Sequence, residues 1–118
     1  MDYDREMALV AVFQERSVSG DGSILETERI LGVSRYITNP DSTSCEFSLV
    51  VADSYSGRGL GSRLMLSIME VAREKGLSDI EGLVLASNPG MLKLMRSLGF
   101  TVKPFAEDPD FRLVVHAL

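Results

Sequence analysis

A glycine-rich turn between an apolar segment and an amphipathic segment constrains the fold of this chain more than any other feature. The turn reads Ser54-Tyr55-Ser56-Gly57-Arg58-Gly59-Leu60-Gly61-Ser62-Arg63. It follows an apolar run at residues 47–51 and leads into helical periodicity over residues 60–75. Such a turn directs several backbone N–H groups at one point, and the helix dipole adds positive charge there. The stretch therefore predicts an anion cradle, most naturally for phosphate, in which glycine lets the ligand approach the backbone.

The glycine spacing excludes two common phosphate loops. No Lys-Ser or Lys-Thr follows the last glycine, as a Walker A loop requires. Ser62 stands where the dinucleotide fingerprint needs its third glycine after Gly57 and Gly59. The remaining Gly-x-Gly before a helix is equally typical of a flexible turn into a surface helix. The turn alone therefore leaves the ligand undecided.

Hydrophobic patterning predicts eight elements in the order β-β-β-α-β-α-β-β. The predicted strands are residues 7–13, 29–36 (within the segment 24–37), 45–52, 80–86, 100–105 and 111–118, and the predicted helices are residues 60–75 and 88–99. The continuous apolar run of the first strand predicts burial on both faces. In the third strand, alternation predicts that Cys45 and Phe47 lie on one face and Glu46 on the other. Asn88 before Pro89 is a helix N-cap signal.

Composition is that of one soluble globular domain spanning residues 1–118. The 118 residues are 45% hydrophobic and 25% charged. The net charge of −5 is unlike a nucleic-acid-binding surface, for which a basic stripe is expected. No run approaches membrane length, and no signal peptide opens the chain. The single Cys45 cannot form an internal disulfide, so a reducing cytoplasm is the expected location. No metal site is expected.

Two motifs together resemble the GNAT superfamily of N-acetyltransferases. The first is Ser56-Gly57-Arg58-Gly59-Leu60-Gly61, similar to that superfamily's cofactor loop. The second begins at Asn88 and ends at Gly99-Phe100, after the apolar run 83–86. The resemblance implies an α/β (α+β) fold with a mostly antiparallel sheet and splayed central strands. It also implies that the usual N-terminal strand and two helices are absent from this sequence.

Within the superfamily, the chain is most similar to the acetyltransferase domain of bacterial Pat-type protein lysine acetyltransferases. The resemblance rests on the segment from Asp2 to Ala8 before a hydrophobic strand, and on residues 45–51 ten residues before the loop. It implies either a fragment of a longer protein or a minimal member. An edge left exposed by the absent strand predicts a homodimer.

The resemblance implies that acetyl-CoA is the co-substrate. The loop would hold its pyrophosphate, and the splayed edge of the third strand would hold the pantetheine arm. The residues implied in cofactor binding are Leu49, Val50, Val51, Ser56, Gly57, Arg58, Gly59, Leu60, Gly61, Ser62, Asn88 and Met91. Ser56 departs from the basic residue usual at the head of the loop, and Arg58 or Arg63 would then supply the positive charge.

Glu46 is the general base that the resemblance implies, about ten residues before the loop. A lysine-like amine has a pKa near 10.4, so at neutral pH it must lose a proton before it attacks. Glu26 and Glu28 are the fallback candidates. Met95 occupies the position of the acid tyrosine of many relatives, and it cannot donate a proton. Cys45 and His116 are interpreted as structural.

Three functional hypotheses stay open at this point. The first is acetyl transfer to a protein lysine, with Glu46 as base. The second is a non-catalytic acyl-CoA-binding regulatory domain, which Met95 and the absent N-terminal elements favour. The third is acetyl transfer to a small-molecule amine, which differs from the first only in the acceptor.

Overall fold

The structure, a computed structural model, describes residues 5–52 and 59–118, apart from the side chains of Phe13 and Glu15. Its strands and helices follow the predicted order β-β-β-α-β-α-β-β. The elements are β1 (Glu6–Val18), β2 (Ile24–Thr38), β3 (Ser44–Val51), α1 (Leu60–Glu74), β4 (Asp79–Leu85), α2 (Pro89–Ser97), β5 (Thr101–Pro104) and β6 (Phe111–Ala117).

The six strands form one sheet in the order β1-β2-β3-β4-β6-β5. Every neighbouring pair is antiparallel except β3 and β4, which run parallel. That parallel ladder has only three residue pairs, the last of which joins Glu46 to Glu81. Beyond it the two strands no longer pair, so the predicted mostly antiparallel sheet with splayed central strands is confirmed.

The two helices pack on one face of the sheet. Helix α1 buries a stripe that includes Met65 and Met69. Helix α2 adds Leu92 and Met95 to the same cluster, together with the inward side chains of β3, β4 and β6. Each helix ends at a glycine with positive φ, Gly76 after α1 and Gly99 after α2, a conformation that other residues adopt at a cost.

The opposite face of the sheet, here called the open face, carries no helix in the described part of the chain. It is formed by the outward side chains of β1 to β4, among them Val10, Ile37, Glu46, Val50, Glu81 and Leu83. The prediction that β1 is buried on both faces is therefore wrong. Val10 is 51% exposed and Val12 is 48% exposed, because β1 is the edge strand and only its other side meets the core.

Strands β1 and β2 continue beyond the rest of the sheet as a two-stranded ribbon, here called the arm. In the arm, residues 12–18 of β1 pair with residues 24–30 of β2. The third strand does not extend beside it, because the pairing of β3 with β2 ends at Gly32 and Val51. The radius of gyration is 17.1 Å, compared with about 13 to 14 Å for a compact chain of this length. At the tip, the Asp21 carboxylate accepts hydrogen bonds from Ser19 and Ser23, which hold its pKa well below the usual range.

The separation of β3 from β4 coincides with close packing of Phe47 on Gly82. These are the next residues after the Glu46–Glu81 pair, and the Phe47 ring occupies the space above the glycine. A Cβ added at Gly82 would lie 2.6 to 2.9 Å from three ring carbons of Phe47. The ring is fixed on its other side by Phe100, in an edge contact with centroids 5.6 Å apart.

We expect Gly82→Ala to lower the free energy of unfolding by about 1 to 3 kcal/mol, because the buried Phe47 ring must shift to accept the methyl group. Gly20→Ala is the control, since a Cβ at Gly20 meets nothing within 4 Å, and its effect should stay within about 0.5 kcal/mol. Urea unfolding of both variants measures this. A Gly82→Ala variant as stable as Gly20→Ala would contradict the packing explanation.

Candidate active site

The gap between β3 and β4 leaves backbone groups of β3 without a strand partner. Successive residues of a strand direct their N–H and C=O groups to opposite sides. The Ser44 carbonyl accepts from Asn39, and the Ala52 N–H donates to Leu31 of β2, so even-numbered residues of β3 bond toward β2. The N–H and C=O groups of Leu49 and Val51 therefore face the gap.

Among the three residues of β3 predicted to hold the pantetheine arm, Val50 differs from Leu49 and Val51 in the direction of its backbone groups. Its backbone points to β2, and its carbonyl oxygen lies 3.0 Å from the position that a Cβ on Gly32 would take. Its side chain is 67% exposed on the open face. Val50 can therefore offer a ligand its side chain but not its N–H, whereas Leu49 and Val51 offer their N–H groups.

The N-terminus of α1 lies beside this edge. Gly59 is the N-cap residue, with φ 80° and ψ 0°, and it makes no side-chain capping bond. The first turn contains no acidic residue. Within the described residues, the N–H groups of Leu60, Gly61 and Ser62 in the first turn have no side-chain cap, and they form the positive end of the helix dipole. This is the chemistry of an anion site.

The lack of a side chain at Gly61 allows the start of α1 to approach the gap-facing edge of β3. A Cβ at this position would lie 3.6 Å from Leu49 Cδ2, 3.6 Å from Val51 Cγ2 and 3.1 Å from Leu94 Cδ2 of α2. Its missing side chain therefore lets α1 pack against β3 and α2, rather than clearing space for a ligand as the sequence suggested. Gly59 meets nothing within 4 Å and is required for its left-handed backbone.

Three residues of the predicted cradle, Ser56, Gly57 and Arg58, lie outside the described residues. Their predicted contacts with phosphate stay predictions. The described part of the loop is Gly59 to Ser62, followed by Arg63, whose side chain is exposed in the first turn of α1.

Asn88 and Met91 meet at the start of α2. The Asn88 side-chain oxygen accepts a hydrogen bond from the Met91 N–H at 3.1 Å, so the predicted N-cap is confirmed. Capping uses only the oxygen of the amide, and the NH2 group keeps its donors for a ligand. Asn88 is exposed and Met91 is half-buried.

Glu46 occupies the last paired position of β3 before the gap opens. Its side chain is exposed on the open face, on the same side as Val50, while Cys45 and Phe47 are buried on the other. A carboxylate here can reach a group that enters the gap from the open face, and solvent can exchange protons with it.

Glu81 is a neighbour of Glu46 that sequence reasoning missed. The parallel register puts these two glutamates side by side on β3 and β4, and Asn39 Nδ2 donates to Glu81 Oε1 at 3.4 Å. The alternation of buried and exposed residues along β4 could have predicted which face of the sheet carries Glu81. The local sequence does not predict which residue of β3 lies beside it. The fallback bases Glu26 and Glu28 lie on the arm, where Arg16 pairs with Glu26 at 2.9 Å.

The interpretations of Met95, Cys45 and His116 as residues without catalytic chemistry agree with their surroundings. Met95 is fully buried in the core. Burial, and secondarily the charge of Glu81, raises the pKa of the Cys45 thiol to about 11. The His116 ring makes an edge contact with Phe100, with centroids 5.2 Å apart.

The described residues contain no group of three or more His, Cys, Asp or Glu side chains arranged to hold a metal ion. In the same part of the chain, neither helix has the length and apolar character needed to cross a membrane.

Comparison with known proteins gives a consistent result. The Acetyltransferase (GNAT) family profile matches residues 2–100. A protein of Pseudomonas aeruginosa named as an acetyltransferase is 34% identical over 119 residues, which cover all of this chain and 58% of that protein. The acetyltransferase Pat of Mycolicibacterium smegmatis is 37% identical over 59 residues, covering 50% of this chain and 18% of Pat.

Solved structures show the same fold. The crystal structure of the GNAT domain of S. lividans PAT superposes with a TM-score of 0.75 at 21% identity, over all of this chain and 64% of that domain. This chain therefore spans 58% of the Pseudomonas relative and 64% of the solved domain.

We expect Cys45 to resist alkylation in the folded protein. A pKa of about 11 instead of 9.0 lowers the thiolate fraction about 100-fold below pH 9, and the side chain is 0% exposed. Iodoacetamide labelling at pH 8, followed by mass spectrometry, should be slow in buffer and fast in denaturing urea. Because the folded thiol holds its proton more tightly, stability should fall as pH rises from about 9 to about 11. Fast labelling of the native protein would contradict the burial of Cys45.

Proposed function

Because the chain belongs to the Acetyltransferase (GNAT) family, we propose that it transfers the acetyl group of acetyl-CoA to an amine, with Glu46 as general base. The observation that carries this proposal is the gap after the Glu46–Glu81 pair. The Glu46 carboxylate, the gap-facing backbone N–H groups of Leu49 and Val51, and the N-terminus of α1 meet around it. These are the three elements that acyl transfer from a thioester to an amine needs.

The residues around the gap fit acetyl-CoA. The N–H groups at the start of α1 suit its pyrophosphate, and the edge at Leu49 and Val51 suits the amide groups of its pantetheine arm. The NH2 group of Asn88 is a further donor at the start of α2. When bound, acetyl-CoA supplies a thioester whose carbonyl carbon bonds to the amine nitrogen while its C–S bond breaks.

Glu46 supplies the proton chemistry. An alkylammonium group must give up a proton, and the exposed Glu46 carboxylate can take it directly or through one water and pass it to solvent. An N–H group facing the gap, from Leu49 or Val51, can donate to the carbonyl oxygen as charge develops there. With Met95 buried in the tyrosine position, the thiolate takes its proton from solvent.

We propose a protein lysine as the acceptor. The support is the likeness to proteins named Pat and the open approach to Glu46 from a face that no described helix covers. A lysine side chain is long enough to reach Glu46 from a surface that lies against this face. A reducing cytoplasm is the proposed location, consistent with one buried thiol.

The experiment that tests the proposal is Glu46→Gln. We expect thiol release from acetyl-CoA with a lysine-bearing protein to fall between 100- and 10,000-fold at pH 7.5, while acetyl-CoA affinity by calorimetry is unchanged. The difference from wild type should narrow as the pH approaches the amine pKa of about 10.4, because the acceptor then needs no base.

Glu81→Gln is the matched control, since it removes the neighbouring carboxylate on the same face. It should keep most of the turnover. Full activity of Glu46→Gln at pH 7.5 would contradict the role of Glu46. If the wild-type protein binds acetyl-CoA but transfers the acetyl group to no amine tested, the result would favour a non-catalytic regulatory domain.

The cradle is tested by a pair of glycines with the same backbone geometry. Gly59 has φ 80° and Gly76 has φ 84°, and a Cβ at either meets nothing within 4 Å. The backbone strain of a Glu should therefore be similar at the two positions, about 1 to 2 kcal/mol, and the helix dipole makes Glu less favourable at Gly76 than at Gly59. Only Gly59→Glu puts negative charge at the start of α1, so it alone should weaken acetyl-CoA binding more than tenfold in calorimetry. Equal affinities for the two variants would argue against the cradle.

A further inference from the structure

A packed aromatic ring closes the inner end of the gap. The gap opens after the Glu46–Glu81 pair, and Phe47 and Gly82 are the next residues on the two strands. The Phe47 ring occupies the space that a side chain at Gly82 would fill, with three ring carbons 2.6 to 2.9 Å from the position of a Cβ. The ring therefore reaches from β3 to β4 on the core side of the gap, directly beyond the last paired residues.

The Phe47 ring has little freedom to move away from the gap. It is 7% exposed and makes an edge contact with Phe100, with ring centroids 5.6 Å apart. Phe100 is backed in turn by the His116 ring, in a second edge contact with centroids 5.2 Å apart. Because protein interiors are packed as densely as organic crystals, displacing the Phe47 ring would require its neighbours to move as well. The inner end of the gap is thus a firm apolar wall.

An acyl-CoA bound as proposed above directs its acyl group at this wall, so the inference rests on the proposed function. The N–H groups that suit the phosphates lie at the start of α1, which packs against Leu49 and Val51 near the C-terminal end of β3. From there the pantetheine chain runs along β3 toward Glu46. The thioester and its acyl group are at the other end of the pantetheine from the phosphates, and therefore come next to Phe47.

The position of Glu46 favours Leu49 over Val51 as the donor to the thioester carbonyl. Strand residues rise about 3.3 Å each, so the Leu49 N–H lies roughly 10 Å along β3 from Glu46 and the Val51 N–H roughly 16 Å. A glutamate side chain with one bridging water can span the shorter distance but not the longer one. An amine deprotonated by Glu46 therefore attacks a carbonyl beside Leu49.

Little room is left between that carbonyl and the wall. Leu49 and Phe47 are two residues apart on the same face of β3, which is about 7 Å along the strand. Carbon atoms in contact stay about 3.5 to 4 Å apart, so roughly 3 Å remain beyond the carbonyl carbon. This length accommodates a methyl or an ethyl group but not a longer chain.

Neither side of the gap offers a longer acyl chain another path. On the core side, Val84 of β4 is 5% exposed and Met95 of α2 is fully buried, so the space there is filled. On the open face, a chain that turned away from Phe47 would lie against Glu46 and Glu81 and displace water from their carboxylates, which is unfavourable. It would also occupy the approach of the amine.

We propose that Phe47, packed on Gly82, restricts the donor to short acyl groups. Acetyl-CoA and propionyl-CoA are accepted, and hexanoyl-CoA and longer thioesters are excluded. Phe47 contacts the end of the acyl group and so determines its length, while Phe100 holds the Phe47 ring in place.

Calorimetry with CoA and with its acetyl, propionyl and hexanoyl thioesters measures the chain-length limit without turnover. For the wild type we expect acetyl-CoA and propionyl-CoA to have affinities within about threefold of each other, and hexanoyl-CoA to bind at least about tenfold more weakly. In thiol release with a lysine-bearing protein, kcat/KM for hexanoyl-CoA should be at least about 100-fold below that for acetyl-CoA, since one surplus methylene in a hydrophobic pocket changes kcat/KM by about 10- to 200-fold.

Phe47→Ala removes the wall, and the ratio of hexanoyl-CoA to acetyl-CoA, in affinity and in kcat/KM, should then rise at least about tenfold. Phe47→Leu removes the ring with a smaller loss of buried volume, and it provides the same test if the alanine variant fails to fold. Leu77→Ala is the matched control, because Leu77 is buried where the chain enters β4, before the paired residues and away from the gap. It should leave the ratio within about twofold of wild type.

The calorimetry separates failure of this inference from failure of the proposed function. If acetyl-CoA binds but the wild type uses hexanoyl-CoA equally well, or both Phe47 variants leave the ratio unchanged, the chain-length role of Phe47 is overturned and the proposed function is not. A ratio shifted equally by Leu77→Ala would overturn it too, because loosened packing would then explain the effect. If the wild type binds neither CoA nor acetyl-CoA, the proposed function fails and the inference fails with it.

Discussion

The parallel ladder between β3 and β4 ends after Glu46 and Glu81, and the remaining structure is arranged around that break. Phe47 turns its ring over Gly82 at the next position, and Phe100 holds the ring in place. Buried aromatic packing on the core face thus begins at the residue pair where the ladder ends. The strands separate toward their C-terminal ends, and an edge inside the sheet, not at its margin, is left with free backbone groups.

The start of α1 completes this site because glycine allows two close approaches. Gly61 brings the helix against Leu49 and Val51, and Gly59 turns the chain into the helix with a left-handed backbone. The N–H groups of the first turn of α1 therefore stand next to the gap-facing N–H groups of β3. The start of α1 suits the phosphates of a long ligand, and the edge of β3 at Leu49 and Val51 suits its amide arm. Both described helices cover the same face, and the proposed acceptor would approach Glu46 from the other face.

Much of this was predictable from the sequence. Period-two and period-3.6 patterns gave all eight elements, and Asn88 with Pro89 gave the start of α2. The burial of β1 was predicted wrongly, because a continuous apolar run does not reveal that its strand lies at the edge of a one-sided sheet. Glu81 was missed, since its place beside Glu46 depends on the register between two strands whose paired residues are 35 positions apart in the chain. The backbone direction of Val50 is likewise set by register and not by residue type.

The most direct test of the account compares three adjacent amides of β3 by NMR hydrogen exchange, with and without acetyl-CoA. Those of Leu49 and Val51 face the gap, whereas that of Val50 faces β2 and serves as an internal control. We expect acetyl-CoA to slow amide exchange at Leu49, Val51 or both, and at residues 60–62. The exchange rate of the Val50 amide should stay nearly unchanged. Unchanged exchange at both gap-facing amides in the presence of saturating acetyl-CoA would contradict the assignment of the gap as the binding site.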